Sequence, residues 1–162
     1  MGANKTVLNP RELGGEPVGD IRVKHAKLKG VTNLSVEPST MIDEFPVLFC
    51  AAAVAEGPSR FTGLEELRVK ESDRIAVMAT GLKQNGVDLT EFDDGIEITG
   101  VAGKIPGGGT VATELDHRIA MSFAVLGQMA QKPITIDDAA PIQTSFPVFI
   151  DLMKTLGAGM ET

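Results

Sequence analysis

Residues 72–99 read SDRIAVMATGLKQNGVDLTEFDDGIEIT, and two periodicities succeed one another within them. Ile75, Met78, Ala79 and Leu82 fall at helical spacing, which predicts a helix over about Ser72 to Asn85 with Gly86 as its C-terminal cap. Two short strands come next, near Asp88 to Phe92 and Gly95 to Thr99, joined by an Asp93-Asp94-Gly95 turn. Such a helix and hairpin bury little by themselves and need further elements on both sides.

Upstream, Met41 to Glu56 is apolar on every side, including the Ala51-Ala52-Ala53 run. That pattern suits a helix buried all round and stopped by Gly57-Pro58. A strand near Arg60 to Thr62 links it to the next helix. Ile21 to Ala26 and Leu28 to Val36 alternate apolar and polar residues and read as strands. Residues 1–20 are rich in turn formers (Pro10, Gly14, Gly15, Pro17, Gly19) and read as a flexible tether or surface loop.

Downstream, Gly107-Gly108-Gly109 reads as a flexible connector into a strand near Val111 to Leu115. Asp116 then precedes an apolar helix through Ala130, as Asp43 precedes the earlier one. A strand at Ile134 to Ile136 leads to a helix carrying Phe146, Phe149, Ile150, Met153 and Leu156, capped by Gly157. Asp43 and Gly86 are 43 positions apart, Asp116 and Gly157 41. This is an internal repeat of a helix–strand–helix–strand module about 70 residues long. The expected fold class is α/β (α+β), with parallel pairing inside each module and antiparallel hairpins beside it. The second copy stops at Thr162, where a closing hairpin is expected.

Composition narrows the function. The chain has 162 residues, 15 Lys and Arg against 22 Asp and Glu, and a net charge of −7. A sequence-independent grip on nucleic acid or an anionic membrane is therefore not expected. One cysteine, Cys50, forbids an internal disulfide, and two histidines, His25 and His117, argue against a metal cage. No charged stretch followed by an apolar run opens the chain, which predicts a cytoplasmic protein. The pattern Met1-Gly2-Ala3-Asn4-Lys5-Thr6 for myristoylation and Asn33-Leu34-Ser35 for glycosylation are short, chance-prone matches.

In units of this kind the helix N-termini gather at one end, each offering free N–H groups and about half a positive charge. The four starts are Thr40 to Glu44, Arg68 to Arg74, Asp116-His117-Arg118, and Gln143-Thr144-Ser145. Taken singly, Asp43, Asp116 and Ser145 are good N-caps, and Glu71 with Arg74 is an ordinary surface pair. The cations fit that account less well. Lys70, Arg74 and Arg118 sit at the positive helix ends, where the dipole disfavours them. A polyanionic ligand would offset them, and Asp43 and Glu71 beside them would then be placed for proton transfer.

Three segments together closely resemble one family: Leu67-Arg68-Val69-Lys70-Glu71-Ser72-Asp73-Arg74, Leu115-Asp116-His117-Arg118-Ile119-Ala120-Met121, and Ile42-Asp43-Glu44-Phe45-Pro46. They resemble the 5-enolpyruvylshikimate-3-phosphate synthases, and the likeness runs from about Leu8 to the end. Thr144-Ser145-Phe146-Pro147 is similar to the glyphosate-tolerant bacterial branch. The family's other common form has a lysine in place of Thr144, and an asparagine that touches shikimate phosphate in place of Glu66.

The resemblance implies repeated βαβαββ units of the enolpyruvyl transferase inside-out α/β barrel, here incomplete. It implies the end of one unit over 21–30, a nearly complete unit over 31–100 and a truncated unit over 109–162, with the opposite domain missing. It implies transfer of the enolpyruvyl group of phosphoenolpyruvate to the 5-hydroxyl of shikimate 3-phosphate, with release of phosphate, in the shikimate pathway to aromatic amino acids. No metal and no cofactor are implied. Asp43 would take the proton of the 5-hydroxyl, and Glu71 would manage the proton at the methylene carbon. Lys70 would contact shikimate 3-phosphate. Arg74 and Arg118 would hold the phosphate and carboxylate of phosphoenolpyruvate, work that suits a planar five-donor fork. His117 would lie beside that site. The partner implied is the missing N-terminal part of the same enzyme, without which the chain is expected to be inactive.

Three rivals share some of these features. A UDP-sugar enolpyruvyl transferase would use a reactive cysteine, whereas Cys50 lies among alanines as a core residue. RNA cyclases of related fold would need a basic surface. A non-catalytic structural module would need no chemistry at all.

Overall fold

In the computed structural model the structure describes residues 1–32 and 37–161. Its centre is a three-stranded antiparallel sheet in the order β3–β5–β4, with β3 at Glu56–Phe61, β4 at Asp88–Phe92 and β5 at Gly95–Val101. The Asp93-Asp94 hairpin is present as expected, pairing Phe92 with Gly95. Two helices cover the sheet, α1 (Phe45–Val54) and α2 (Arg74–Gln84), and α3 (His117–Gly127) packs against α1. Phe45, Phe49 and Phe61 form an aromatic cluster with ring centroids 5.3–6.1 Å apart. Around them Leu64, Leu67, Ile75, Met78, Leu82, Ile96, Ile98 and Phe123 are fully buried. This single core fixes the starts of all three helices relative to one another.

The helix over residues 74–84 ends as its sequence predicts. Gly86 takes φ +80°, Val87 N–H donates to Leu82 C=O and Gly86 N–H to Lys83 C=O, a Schellman cap that favours glycine. Beyond the sheet, β6 (Ile105–Gly107) runs parallel to β8 (Ala130–Lys132), and β7 (Thr110–Val111) parallel to β9 (Thr135–Ile136). The mixed α/β class therefore stands. Among the described residues the strands close no barrel, and no helix is long and apolar enough to cross a membrane.

Several expectations are corrected. Residues 1–20 are not a tether: β1 (Asn4–Leu13) and β2 (Glu16–Lys24) form an antiparallel hairpin. Gly14 and Gly15, both at positive φ, make its two-residue turn. Of the strand expected over Leu28 to Val36, Lys29 makes one parallel bridge to Glu56, and residues 33–36, with the Asn33-Leu34-Ser35 pattern, lie outside the described residues. The continuous helix over Met41 to Glu56 divides into a 3-10 stretch, Pro38–Glu44, and α1. Met41 breaks the first, and Pro46 begins the second where no N–H is required.

The strand at Val111 to Leu115 stops early because Glu114 and Leu115 adopt left-handed φ of 52° and 60°. Gly107 to Gly109 are packed, not loose. A Cβ on Gly107 would stand 2.3 Å from the Lys132 carbonyl oxygen, and one on Gly109 2.6 Å from that of Gln84. The last helix is two, α4 (Ala140–Ser145) and α5 (Phe149–Thr155), because Pro147 drives Phe146 out of helical geometry. Ser145 therefore closes α4 and caps nothing. Between α3, β9 and these helices lies an apolar cavity of about 620 Å³, lined by Phe123, Ile134, Ile136, Ile142 and Ile150 among others.

Candidate functional site

The first link in the site is local. Asp116 stands before α3 with extended backbone, and its carboxylate accepts from Arg118 N–H at 2.9 Å, the N-cap expected from sequence. It is completely buried, and the same carboxylate reaches across to the start of α2. There it accepts from Arg74 Nε at 2.8 Å and from the Ser72 hydroxyl at 3.1 Å. Burial pushes the Asp116 carboxyl up, but the bonds from Arg74, Arg118 and Ser72 outweigh it and hold the group below the usual carboxylate range.

Arg74 is the second link. Only 1% of its side chain is exposed, so the expected surface pair with Glu71 is corrected. Its three nitrogens are spoken for: Nε by Asp116, Nη1 by Asp43 at 2.9 Å and Nη2 by Glu71 at 2.5 Å. Burial pulls the guanidinium down, and the three carboxylates more than reverse that, leaving it above its ordinary value. A buried arginine matched in this way is an orienting device as much as a charge.

Asp43 is where the segments meet. It caps no helix, because its chain enters α1 through the 3-10 stretch and Pro46 has no N–H to give. Instead its carboxylate faces Arg74 at 2.9 Å, Lys70 at 3.7 Å and Arg118 at 3.8 Å. Arg118 also donates from Nη1 to the Asp43 carbonyl at 3.0 Å and lies 3.8 Å from Glu44. Lys70 pairs with Glu66, a bond that holds the ammonium above the usual lysine value.

Lys70, Arg74, Arg118, Asp43 and Glu71 are therefore brought into one cluster from three separate segments. His117 is half-buried at the first position of α3, next to Arg118 in sequence, and makes no side-chain hydrogen bond among the described residues. Thr144 lies in exposed α4, its hydroxyl donating to the Pro141 carbonyl at 2.8 Å.

One electrostatic expectation changes. The cations at the helix starts are offset within the chain, by Asp43, Glu44, Glu66, Glu71 and Asp116, with no ligand needed. An anion entering competes with those carboxylates for the cations. Sequence reading passed over Ser72 as a partner of Asp116, Glu66 as a partner of Lys70, and Arg68, which grips the β4–β5 turn. Only the i, i+4 spacing of Glu66 and Lys70 was a local signal.

Other titratable groups are structural. Cys50 is buried, its thiol donating to the Ser122 carbonyl at 3.4 Å, and burial pushes its pKa far up, opposite to what a reactive thiol needs. Asp137 accepts from Thr113 N–H and hydroxyl at a strand end, as the turn reading of Asp137-Asp138 expects. Among the described residues no three His, Cys, Asp or Glu side chains are placed to share a metal ion.

With this geometry in view, comparison with known proteins is specific. The family model for EPSP synthase (3-phosphoshikimate 1-carboxyvinyltransferase) matches residues 1–153. The 3-phosphoshikimate 1-carboxyvinyltransferase of Parvibaculum lavamentivorans is 58% identical over 158 residues, covering 98% of this chain and 35% of that protein. The protein of the same name from Zymomonas mobilis is 58% identical over 166 residues, covering 99% and 36%. The solved EPSP synthase of Acinetobacter baumannii superposes with a TM-score of 0.95 at 48% identity, over 99% of this chain and 38% of that one. The chain thus spans little more than a third of the length of the relatives it matches. On sequence and structure alike, it belongs to the EPSP synthase (3-phosphoshikimate 1-carboxyvinyltransferase) family.

Proposed function

We propose that this chain forms one wall of the site in which the enolpyruvyl group of phosphoenolpyruvate passes to the 5-hydroxyl of shikimate 3-phosphate, releasing phosphate. The observation that carries the reading is the convergence on Asp43, which meets Lys70, Arg74 and Arg118 within 3.8 Å. Two carboxylates and three cations suit acid–base chemistry on two polyanionic substrates.

In the addition step Asp43 accepts the proton of the 5-hydroxyl as its oxygen bonds to C2 of phosphoenolpyruvate. Glu71 delivers a proton to C3, which becomes a methyl group. In the elimination step the C2–O bond to phosphate breaks, phosphate leaves with the electron pair and takes up the proton held by Asp43, and a C3 proton returns to Glu71. Lys70 holds shikimate 3-phosphate near the reacting atoms. Arg74 and Arg118 hold phosphoenolpyruvate, with His117 assisting beside them.

Each Arg74 nitrogen already serves a carboxylate, so phosphoenolpyruvate binds by taking the place of Asp43 or Glu71 on its outer nitrogens, while Asp116 keeps Nε. The exchange leaves a carboxylate with one cation fewer, and a carboxylate so released is a better proton acceptor. The opposite wall comes from the part of the enzyme that this chain does not cover, and the reaction belongs to the cytoplasm. A half-site cannot enclose the reacting atoms or exclude water, so the chain alone is inactive.

The test combines the chain with a polypeptide carrying the part of the Parvibaculum relative that it does not match, and measures phosphate release. Release that needs both polypeptides supports the reading. Turnover by this chain alone overturns it. So does a phosphoenolpyruvate titration whose NMR shifts spare the amides of residues 70–74 and 116–118.

A further inference from the structure

Residues 70–73, which carry Lys70 and Glu71, belong to no helix or strand. Such a segment keeps a side chain in place only if something outside it does the holding. At its far end the anchor is Arg74 on Asp116. At its near end the anchor is Arg68, the last basic residue of the 3-10 stretch Glu65–Val69.

Every nitrogen of the Arg68 guanidinium has an acceptor. Nε donates to the Asp93 carbonyl at 2.7 Å. Nη1 donates to both carboxylate oxygens of Asp73, at 2.8 and 3.1 Å. Nη2 donates to Glu91 at 3.0 Å and to the Phe92 carbonyl at 2.6 Å. Asp73 in turn caps α2 by accepting from Ala76 N–H at 3.0 Å. One planar fork thus ties the start of the segment to its end and to the β4–β5 turn. None of its partners is among the proposed substrate-binding or acid–base residues, so the fork is spent on holding the chain.

We propose that Arg68 is a positioning residue for the transfer reaction: its fork, closed on Asp73 and the β4–β5 turn, holds residues 70–73 so that Lys70 and Glu71 face Asp43. The proposal rests on the function assigned above to those two residues. Lysine cannot replace the arginine, because a point charge cannot make five bonds in a plane. Misplacement of an acid–base group by about 1 Å costs up to about 100-fold in rate, and the loss falls on turnover more than on binding.

Two measurements on wild type, Arg68→Lys, Arg68→Gln and Glu91→Gln decide the matter. The first uses the 162-residue chain without any partner. Backbone order parameters at residues 70–72 are expected near 0.85 in wild type and below about 0.6 in both Arg68 variants, with β4 and β5 unchanged. The second uses the two-polypeptide assembly. Both Arg68 variants are expected to lose at least tenfold in kcat, with KM for each substrate within threefold and no rescue by lysine. Glu91→Gln, which keeps an acceptor oxygen for Nη2 and loses only the charge, is expected to keep more than half of kcat.

Order parameters unmoved by Arg68→Gln overturn the proposal, as does full kcat in Arg68→Lys. If the wild-type assembly is inactive, the functional reading fails while the order parameters still settle the clamp. If Arg68→Gln does not fold, Arg68→Lys decides alone: order parameters at 70–72 that fall below about 0.6 support the clamp, and unmoved ones overturn it.

Discussion

Asp43 and Asp116 each stand just ahead of an apolar helix, and they do opposite things. Asp116 is wholly buried and spends its carboxylate on Arg118 N–H, Ser72 and Arg74. The Asp43 side chain is 40% exposed, caps nothing, and sits among three cations. The residues immediately after each aspartate decide the difference. Arg118 presents its N–H to Asp116, whereas the matching N–H after Asp43, that of Phe45, donates to the Ile42 carbonyl, and Pro46 has none to give. The next few residues decide whether an aspartate before a helix is buried as an anchor or left part-exposed among cations.

The largest effect expected is on the anchor. Asp116→Ala leaves the buried Arg74 with only its two outer carboxylates, and should cost about 3 kcal/mol, the low end for breaking a buried pair because Asp43 and Glu71 remain. Urea denaturation of the chain measures it, and a loss below about 1 kcal/mol would dissolve the distinction between the two aspartates. Asp43→Asn is the converse. It should change stability by less than about 1 kcal/mol, as for other partly exposed pairs. In the two-polypeptide assembly it should lower phosphate release about 100-fold, the scale of a lost general base.

Much of this contrast was legible in sequence, though unevenly. The helix at 74–84, its Gly86 cap and the 88–101 hairpin arise from local periodicity and turn chemistry, and local rules govern them in the structure too. The cations at 70, 74 and 118 were legible as charges set against the helix field. Of the β1–β2 hairpin, only the end of β2 was legible, in the alternation from Ile21; β1 has no buried face to alternate against, although Gly14-Gly15 is itself a hairpin turn signal. The Arg68 contacts bridge 23 to 25 residues, and Asp116 reaches 42 to Arg74. No local pattern encodes partners at such distances; they appear only once the core has docked the elements.

Acid sharpens the comparison at intermediate size. The folded-state pKa of Asp116 lies below its unfolded value, near 3.9 in a free chain, so its contribution is complete above that value and lost as pH falls through the lowered one. Wild type should therefore lose urea midpoint more steeply between pH 4 and pH 2.5 than Asp116→Asn, which has no such proton to bind. Parallel curves would mean that Asp116 is not held below its ordinary range. Asp137 is held low as well, by Thr113 and its own turn, so a residual slope is expected in the variant.

The smallest effect concerns the hydroxyl that reaches the anchor and nothing else in the cluster. The Ser72 hydroxyl donates to the Asp116 oxygen that also takes Arg74 Nε. Ser72→Ala removes a bond to a charged acceptor that retains two other partners, so a cost of about 1 kcal/mol is expected. Because Ser72 also lies in the segment carrying Lys70 and Glu71, the size of that cost should depend on Asp116. In a double-mutant cycle Ser72→Ala should be nearly silent once Asp116 is alanine. It should remain fully felt when Asp43 is asparagine. Equal coupling to both aspartates would show one shared carboxylate network, with no separate anchor inside it.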